Sequence, residues 1–300
     1  MLVASIDIGT NSTRFLLARV SDQQVDHVKS GLLTTRLGQG INRGRLLPEA
    51  MERTVAAIQE FLKELAPYQP GGIIAAATSA VRDAANREEF IHLVRQTTGL
   101  EVVVLSGEEE AAAAYRGVLA GLPVTAANTL VLDVGGGSTE IIWPGHSALR
   151  YASLPVGAVR MTEGGHSEKQ IKEIMQPVLT EIKNSQPDDP VLVAVGGTAT
   201  TLAAVSLQLK DYRPELVHGC RLSAAEINRL FSLLETAGPA GRLKMIGLQP
   251  ERADIILAGV TIIKIVLDTL ALPGLTVSES DILYGLAWEL GQQLSKQKLE

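Results

Sequence analysis

The pattern Asp-x-Gly-x-x-Ser-Thr occurs twice in this chain, as Asp7-Ile8-Gly9-Thr10-Asn11-Ser12-Thr13 and as Asp133-Val134-Gly135-Gly136-Gly137-Ser138-Thr139. Each copy directly follows a short apolar run, so each predicts a strand that ends on a carboxylate and then turns through small residues. Taken singly, such a turn is a β-hairpin that uses Gly, Asn and Ser for their tolerance of turn conformations. Hairpin geometry needs the glycine but has no use for an inward aspartate. Backbone N–H groups curled round a phosphate, with a carboxylate and two hydroxyls beside a metal ion, use every residue of the pattern. Two copies therefore predict two similar halves around a phosphate-handling cleft.

The 300 residues are enough for two cores. Aliphatic residues far outnumber the 4% aromatics, the balance of a compact α/β enzyme, and no stretch reads as disordered. The chain opens directly on an apolar strand, without a basic leader or a small-residue cleavage site, so a soluble cytoplasmic protein is expected. The most membrane-like stretch, 255–272, is interrupted by Lys264 and Asp268 and reads as a buried helix. Cys220 has no internal partner and is expected to be a buried thiol. A formal net charge of −6 argues against a broad nucleic-acid face. It leaves room for a polyanionic substrate if a divalent cation and a few arginines focus positive charge. Arg14, Arg43, Arg45, Arg82, Arg160 and Arg221 lie near the glycine-rich segments.

Periodicity predicts strands over 3–8, 13–20 and 25–33, a helix over 48–65, a strand over 72–77, a helix over 87–98 and a strand over 101–105. A helix over 108–120 follows. Strands over 129–133, 139–143 and 148–154 then repeat the opening meander, with a helix over 167–184 and a strand over 191–195. Gly196 opens another helix, and a helix over 251–270, a strand over 275–277 and a helix over 281–296 complete the chain. Meander strands followed by alternating helices and strands, twice over, imply two mixed sheets flanked by helices.

Two further segments concentrate chemistry. Gly196-Gly197-Thr198 between a β-branched strand and a helix either caps a strand-to-helix turn or admits a phosphate to the helix N-terminus. No Gly-x-x-x-x-Gly-Lys-Ser/Thr segment is present, so this is not a Walker A loop. In Ser106-Gly107-Glu108-Glu109-Glu110, the spacing makes Ser106 and Glu109 a capping box. Glu108 and Glu110 then project on separate faces, and Glu110 borders a small-residue edge formed with Ala114 and Gly117, where a carboxylate can act as a general base.

The ordered series 7–14, Ala77-Thr78-Ser79-Ala80-Val81-Arg82-Asp83, Ser106-Gly107-Glu108-Glu109-Glu110-Ala111, 132–140, Ser153-Leu154-Pro155-Val156-Gly157-Ala158-Val159-Arg160, 196–202, His218-Gly219 and Arg252-Ala253-Asp254-Ile255-Ile256-Leu257-Ala258-Gly259 resembles the exopolyphosphatase and guanosine pentaphosphate phosphohydrolase (Ppx/GppA) family. The resemblance runs over nearly the whole chain. It implies an α/β chain of two ribonuclease H-like domains, of the sugar kinase, heat-shock chaperone and actin superfamily, around a central cleft. Residues 1–120, joined by a C-terminal helix over 281–300, would form the first domain and 121–280 the second.

For the site, the resemblance implies that Asp133 and Glu140 hold a divalent metal, Mg2+ or Mn2+, with Asp7 assisting from the first loop. Asn11, Ser12, Arg82, Gly135, Gly136, Gly137, Ser138, Gly196, Gly197 and Thr198 would hold phosphate, and Glu110 would be the base for the attacking water. The implied activity is hydrolysis of the terminal phosphoanhydride of inorganic polyphosphate, with guanosine pentaphosphate as a second substrate. A homodimer is the implied assembly, without nucleic-acid or membrane partners. Many relatives carry arginine where this chain has Ala112, a place that Arg116, one turn on, could fill. Two other readings stay open: a kinase or ATPase of the same superfamily, and a sensor that binds polyphosphate or guanosine tetraphosphate without turnover.

Overall fold

Residues 2–8 are apolar at almost every position, the pattern of a strand covered on both faces. In the computed structural model, which describes residues 1–21, 24–145, 148–185, 187 and 189–297, this strand, β1 (Leu2–Ile8), is the centre of a five-stranded sheet. β2 (Thr13–Val20) and β3 (Val25–Leu33) continue it as an antiparallel meander. α1 (Pro48–Leu65) carries the chain to β4 (Ile73–Ala77), parallel to β1. The short α2 (Ser79–Arg82) and α3 (Arg87–Thr98) precede β5 (Val102–Val104), and α4 (Gly107–Gly121) leaves the sheet. The strand order is β3-β2-β1-β4-β5.

Alternation along β1 sends Ala4, Ile6 and Ile8 to one face, where Ile58, Phe61 and Leu65 of α1 and Phe90 and Val94 of α3 complete a core. Val3 packs on the opposite face with Leu16, Ala18 and Val20 of β2 and with Leu283 and Ala287 near the C-terminus. Asp7 and its cross-strand partner Arg14 fall on that second face, in step with Val3 and Leu16.

The chain beyond α4 repeats the design. β6 (Thr129–Val134), β7 (Thr139–Pro144) and β8 (Leu149–Leu154) form an antiparallel meander. α5 (Ala158–Glu163) and α6 (Glu168–Ser185) lead to β9 (Val191–Val195), which pairs parallel with β6. α7 (Gly196–Ser206), α8 (Pro214–Val217), β10 (Arg221–Ser223), α9 (Ala224–Arg242), α10 (Ile256–Leu270), β11 (Gly274–Val277) and α11 (Ile282–Gln297) follow. The sheet order is β10-β11-β9-β6-β7-β8. Read from β8, it repeats the first sheet strand for strand, with β11 in the place of β5 and β10 added at the edge. Both have the ribonuclease H-like arrangement, a three-strand meander whose first strand continues into parallel neighbours. Contacts divide the chain into 1–120 with the segment from Asp281 onward, and 121–280. The last three residues of the helix expected over 281–300 lie outside the described residues.

Three expectations need correction. The helix expected over 251–270 starts with a 3-10 turn, Pro250–Arg252, and becomes α-helical only at Ile256. The tighter turn lays the Arg252 guanidinium on the first turn of α7. The helical stretch α9, kinked at Gly238 (φ +61) just before Pro239, was not anticipated, because these two residues interrupt the helical pattern. Its start was nevertheless encoded in Ser223-Ala224-Ala225-Glu226, where the Ser223 hydroxyl accepts the Glu226 N–H at 3.1 Å. Cys220 is half-buried rather than buried, and desolvation pushes its thiol up from the ordinary value. The stretch over 255–272 is a core helix, and among the described residues no helix is long and apolar enough to cross a membrane.

Candidate active site

Both Asp-x-Gly-x-x-Ser-Thr segments are hairpin turns, β1 to β2 and β6 to β7, closed by the same backbone hydrogen bond. Gly9 N donates to Ser12 O at 3.1 Å and Gly135 N to Ser138 O at 3.0 Å. A Cβ on Gly9 would stand 2.8 Å from Ser12 O and one on Gly135 3.0 Å from Ser138 O, so both turns close on glycine for the same steric reason.

In the second hairpin the loop carbonyls are engaged by the helix that follows it. Ala158 N reaches Gly135 O, Val159 N and Arg160 N reach Gly136 O, and Arg160 Nε donates to Gly137 O at 2.7 Å. Because each peptide is planar and trans, the N–H groups of Gly136, Gly137 and Ser138 point to the side opposite α5. Gly157, where α5 begins, is required for this fit: a Cβ there would lie 2.5 Å from the Gly136 carbonyl. In the first hairpin, Arg36 N and Gly38 N take the carbonyls of Asn11 and Thr10, each at 2.8 Å. Asn11 and Ser12 are buried, with Asn11 Nδ2 donating to Ser12 Oγ.

The residue facing the aspartate separates the two hairpins. Asp133 pairs in register with Glu140, and both are buried on the sheet face opposite Leu132 and Ile141. Ser153 donates its hydroxyl to Glu140 Oε1 at 2.7 Å. Two carboxylates opposite one another, roughly 5 Å apart between Cβ atoms, repel, and burial strengthens the repulsion. As hard oxygen donors they suit Mg2+ or Mn2+, which take one or two carboxylates together with water and substrate oxygens. Among the described residues no cluster of three or more His, Cys, Asp and Glu forms, so a metal at this pair would draw its remaining oxygens from solvent or substrate.

Asp7 faces Arg14 instead. Arg14 Nε and Nη2 donate to Asp7 Oδ2 at 3.1 and 2.6 Å, and Nη1 to Asp281 Oδ2 at 2.5 Å. Burial pushes the Asp7 carboxyl up from its ordinary value, and Arg14 offsets this only in part. Burial acts to lower Arg14, yet the two aspartates together hold it well above the usual guanidinium value. Asp7, expected to assist a metal, already has a cation across the ladder.

α7 brings a second set of N–H donors to Asp133. Its first residue, Gly196, has φ +84, and a Cβ there would stand 2.7 Å from Asp133 Oδ1, so only glycine lets the helix start against that carboxylate. No side chain caps α7. Arg252 lies where a Gly197 side chain would be, with Nε donating to Gln249 Oε1 at 2.9 Å. Thr198 is buried beneath, against Gly259. A helix N-terminus with an arginine over it is an anion site in charge and in donors. The structure thus brings together Asp133, Glu140, Gly135–Ser138 and Gly196–Thr198 within residues 121–280.

The remaining expected residues lie in the first unit. Glu110 is buried in the first turn of α4, and its Oε2 accepts from Arg82 Nη1 at 2.7 Å; the same nitrogen donates to Leu105 O at 3.0 Å. The capping box is formed as expected: Ser106 N donates to Glu109 Oε2 at 2.8 Å and Glu109 N to Ser106 Oγ at 3.2 Å. The Ser106 backbone bond holds the Glu109 carboxyl below its ordinary value. Arg116 is ion-paired with Glu289, so it is occupied elsewhere than at the position of Ala112. Arg45 pairs with Glu89 on the surface, and Arg43 and Arg221 are exposed.

A family model of the Ppx/GppA phosphatases matches residues 16–289. The chain belongs to this family. Exopolyphosphatase 2 of Mycobacterium tuberculosis is 31% identical over 96% of this chain and 98% of that protein. Longer relatives are spanned in part: 46% of a bifunctional 3-dehydroquinate synthase/phosphatase of Fusobacterium nucleatum, at 33% identity, and 61% of a guanosine-5'-triphosphate,3'-diphosphate pyrophosphatase of Vibrio atlanticus, at 29%. They align with 96% and 99% of this chain. The solved structure of the Aquifex aeolicus PPX-GPPA enzyme is 32% identical, covers 96% of this chain and 99% of its own, and superposes with a TM-score of 0.79.

Two contacts of this Ppx/GppA phosphatase were not anticipated: Asp281 on Arg14, and Arg252 on Gly197. Each joins residues far apart in sequence, and no local pattern announces either. Arg252 stands in one of the segments that carry the family resemblance, the one signal that could have singled it out.

Proposed function

We propose that the protein is a metal-dependent exopolyphosphatase that releases orthophosphate from the end of inorganic polyphosphate. The observation that carries this reading is the buried Asp133–Glu140 pair, flanked by the N–H groups of the Gly135–Ser138 turn and by the uncapped start of α7. A chain of phosphates needs both halves of that arrangement: donors for its oxygens, and carboxylates to retain a divalent ion that offsets its charge. Mg2+ or Mn2+, when bound, supplies that neutralisation.

The residues divide the remaining work. The Gly136, Gly137 and Ser138 amides, with Gly196, Gly197 and Thr198 at α7, would orient the terminal phosphates for in-line attack, and Asn11 and Ser12 would offer the corresponding donors of the first hairpin. Glu110 would take the proton of the attacking water. Arg82 orients that carboxylate and would present its guanidinium to phosphate beside it. Asp7 acts through Arg14, leaving the metal to Asp133 and Glu140.

The 31% identity with exopolyphosphatase 2, which spans 98% of that protein, supports polyphosphate. Guanosine pentaphosphate ends in the same anhydride and is the second candidate, supported by the longer relatives. A phosphate-release assay with short polyphosphate, long polyphosphate, guanosine pentaphosphate and ATP decides among them. Glu110→Gln is expected to keep magnesium-dependent polyphosphate binding while release falls by roughly 10² or more. Full activity in that variant removes Glu110 from the role, and tight binding without turnover in the wild type makes the protein a sensor.

A further inference from the structure

The carbonyls of Gly135 and Gly136 are held by main chain, and that of Gly137 by a side chain. Gly135 O takes the Ala158 N–H at 2.9 Å, and Gly136 O takes those of Val159 and Arg160 at 2.8 and 3.0 Å. These bonds come with the first turn of α5, whatever side chains it carries. Gly137 O is bound instead by the Arg160 guanidinium, whose Nε donates to it at 2.7 Å. Arg160 thereby grips consecutive peptides, one with its amide and the next with its side chain.

The Gly137–Ser138 peptide is the one whose orientation depends on that side chain. Its C-terminal flank is fixed: Ser138 O accepts the Gly135 N–H at 3.0 Å, and Thr139 Oγ1 donates to Val156 O at 2.5 Å. Between anchored Cα atoms a peptide plane can still rotate about the line joining them, and Gly137, with no Cβ, offers little resistance on its side. In a planar trans peptide the carbonyl and the N–H point opposite ways, so the bond to Gly137 O aims the Ser138 N–H away from α5, beside those of Gly136 and Gly137. Turned over, the same peptide would set a carbonyl oxygen among the N–H donors, where it repels an anion. A guanidinium at the carbonyl end is a charge-assisted donor and also polarises the N–H at the other end.

We propose that Arg160 is a positioning residue for the phosphate loop, acting through its Nε–H on the Gly137 carbonyl to hold the Ser138 N–H toward the anion. The inference rests on the phosphate reading of this turn given above. The hydrogen bond carries the effect, and the charge by itself does not.

The test separates bond from charge. Glutamine places its amide nitrogen at the same chain position as the arginine Nε, whereas lysine has a methylene there and carries its charge one atom further out. With magnesium, the KM for polyphosphate is expected to stay within about threefold of wild type in Arg160→Gln and to rise roughly 10-fold in Arg160→Lys and Arg160→Met, with kcat within about threefold throughout. Backbone amide spectra read the loop directly. On adding inorganic phosphate with magnesium, the Gly136, Gly137 and Ser138 amides should shift in the wild type and in Arg160→Gln, while the Ser138 amide stops responding in Arg160→Lys and Arg160→Met. A wild-type KM in Arg160→Lys with an impaired Arg160→Gln makes Arg160 a direct charge on the substrate and overturns the proposal. An unchanged Ser138 response in Arg160→Lys does the same. If Arg160→Met does not fold, the glutamine and lysine variants carry the comparison. Amides of the turn that ignore phosphate in the wild type sink the phosphate reading itself, and this inference with it.

Discussion

The hairpins at Asp7 and Asp133 share a turn, a closing hydrogen bond and a buried aspartate, and differ in what stands across the ladder. Arg14 neutralises Asp7 from within the protein, and Asp281 completes a triad of charges. Glu140 instead sets a second buried carboxylate opposite Asp133 on the same sheet face. One cross-strand position therefore gives the same loop either an ion pair or, on the proposed reading, a second carboxylate suited to a divalent cation. The fold supplies the loop twice, but the chemistry belongs to the partner residue.

The largest test of that difference is Asp133→Asn against Asp7→Asn. On the proposed reading, Asp133→Asn loses several kcal/mol of charge stabilisation, on the order of 10³ in phosphate release, and needs more magnesium for half-maximal activity. Asp7→Asn keeps a hydrogen bond to Arg14 and should keep the wild-type magnesium requirement. Equal magnesium defects in the two variants would erase the distinction.

Arg14→Met comes next. It leaves Asp7 and Asp281 as buried carboxylates without their cation and should destabilise the protein by about 3 kcal/mol, the low end for a buried pair because 24% of the Arg14 side chain is exposed. The sign with pH follows from burial raising Asp7. A carboxyl with a raised folded-state value favours the fold when protonated and opposes it once pH climbs through that value. The loss in urea melts should therefore be greater at pH 7 than at pH 4. A loss independent of pH would argue for lost packing instead.

Gly157→Ala and Gly38→Ala compare how the loops are held. The added methyl at residue 157 meets the Gly136 backbone, whereas at residue 38 it meets first the Thr10 side-chain methyl. Gly157→Ala is expected to cost about 1–3 kcal/mol and to lower phosphate release, with a smaller effect at residue 38. The ranking is read from thermal melts and activity side by side.

The smallest effect is a control for the buried triad. Glu226 is held down to about 2, chiefly by Arg229 and then by Ser206. Its contribution is present above the ordinary glutamate value and disappears as pH falls toward 2. Because the pair is largely in solvent, Glu226→Gln should cost only a few tenths of a kcal/mol at pH 7, shrinking in salt and in acid. A cost as large as that of Arg14→Met would mean that burial is not what separates the two ion pairs.

Most elements could be read along the chain because they are encoded locally. The two meanders, α1, α3 and α6 follow from period and from Pro48, and the Ser106–Glu109 capping box follows from a four-residue spacing. The register partner of each aspartate is equally local, since a hairpin of fixed turn length pairs residues symmetrically about its turn. What failed was also local in origin: Gly238-Pro239 hid α9, and a 3-10 turn stood where a continuous helical pattern predicted 251–270.

The sequence by itself determined that this chain has two Asp-x-Gly-x-x-Ser-Thr turns, one followed by Arg14 and the other by Glu140, and that it belongs with the Ppx/GppA phosphatases. Only the tertiary structure decided that Arg14 also holds Asp281, that Arg82 holds Glu110, that Arg252 lies on Gly197, and that Gly196 begins α7 against Asp133. These contacts join segments dozens to hundreds of residues apart. Neither period nor spacing can specify them, because they exist only once the packed sheets and helices have fixed where each side chain ends.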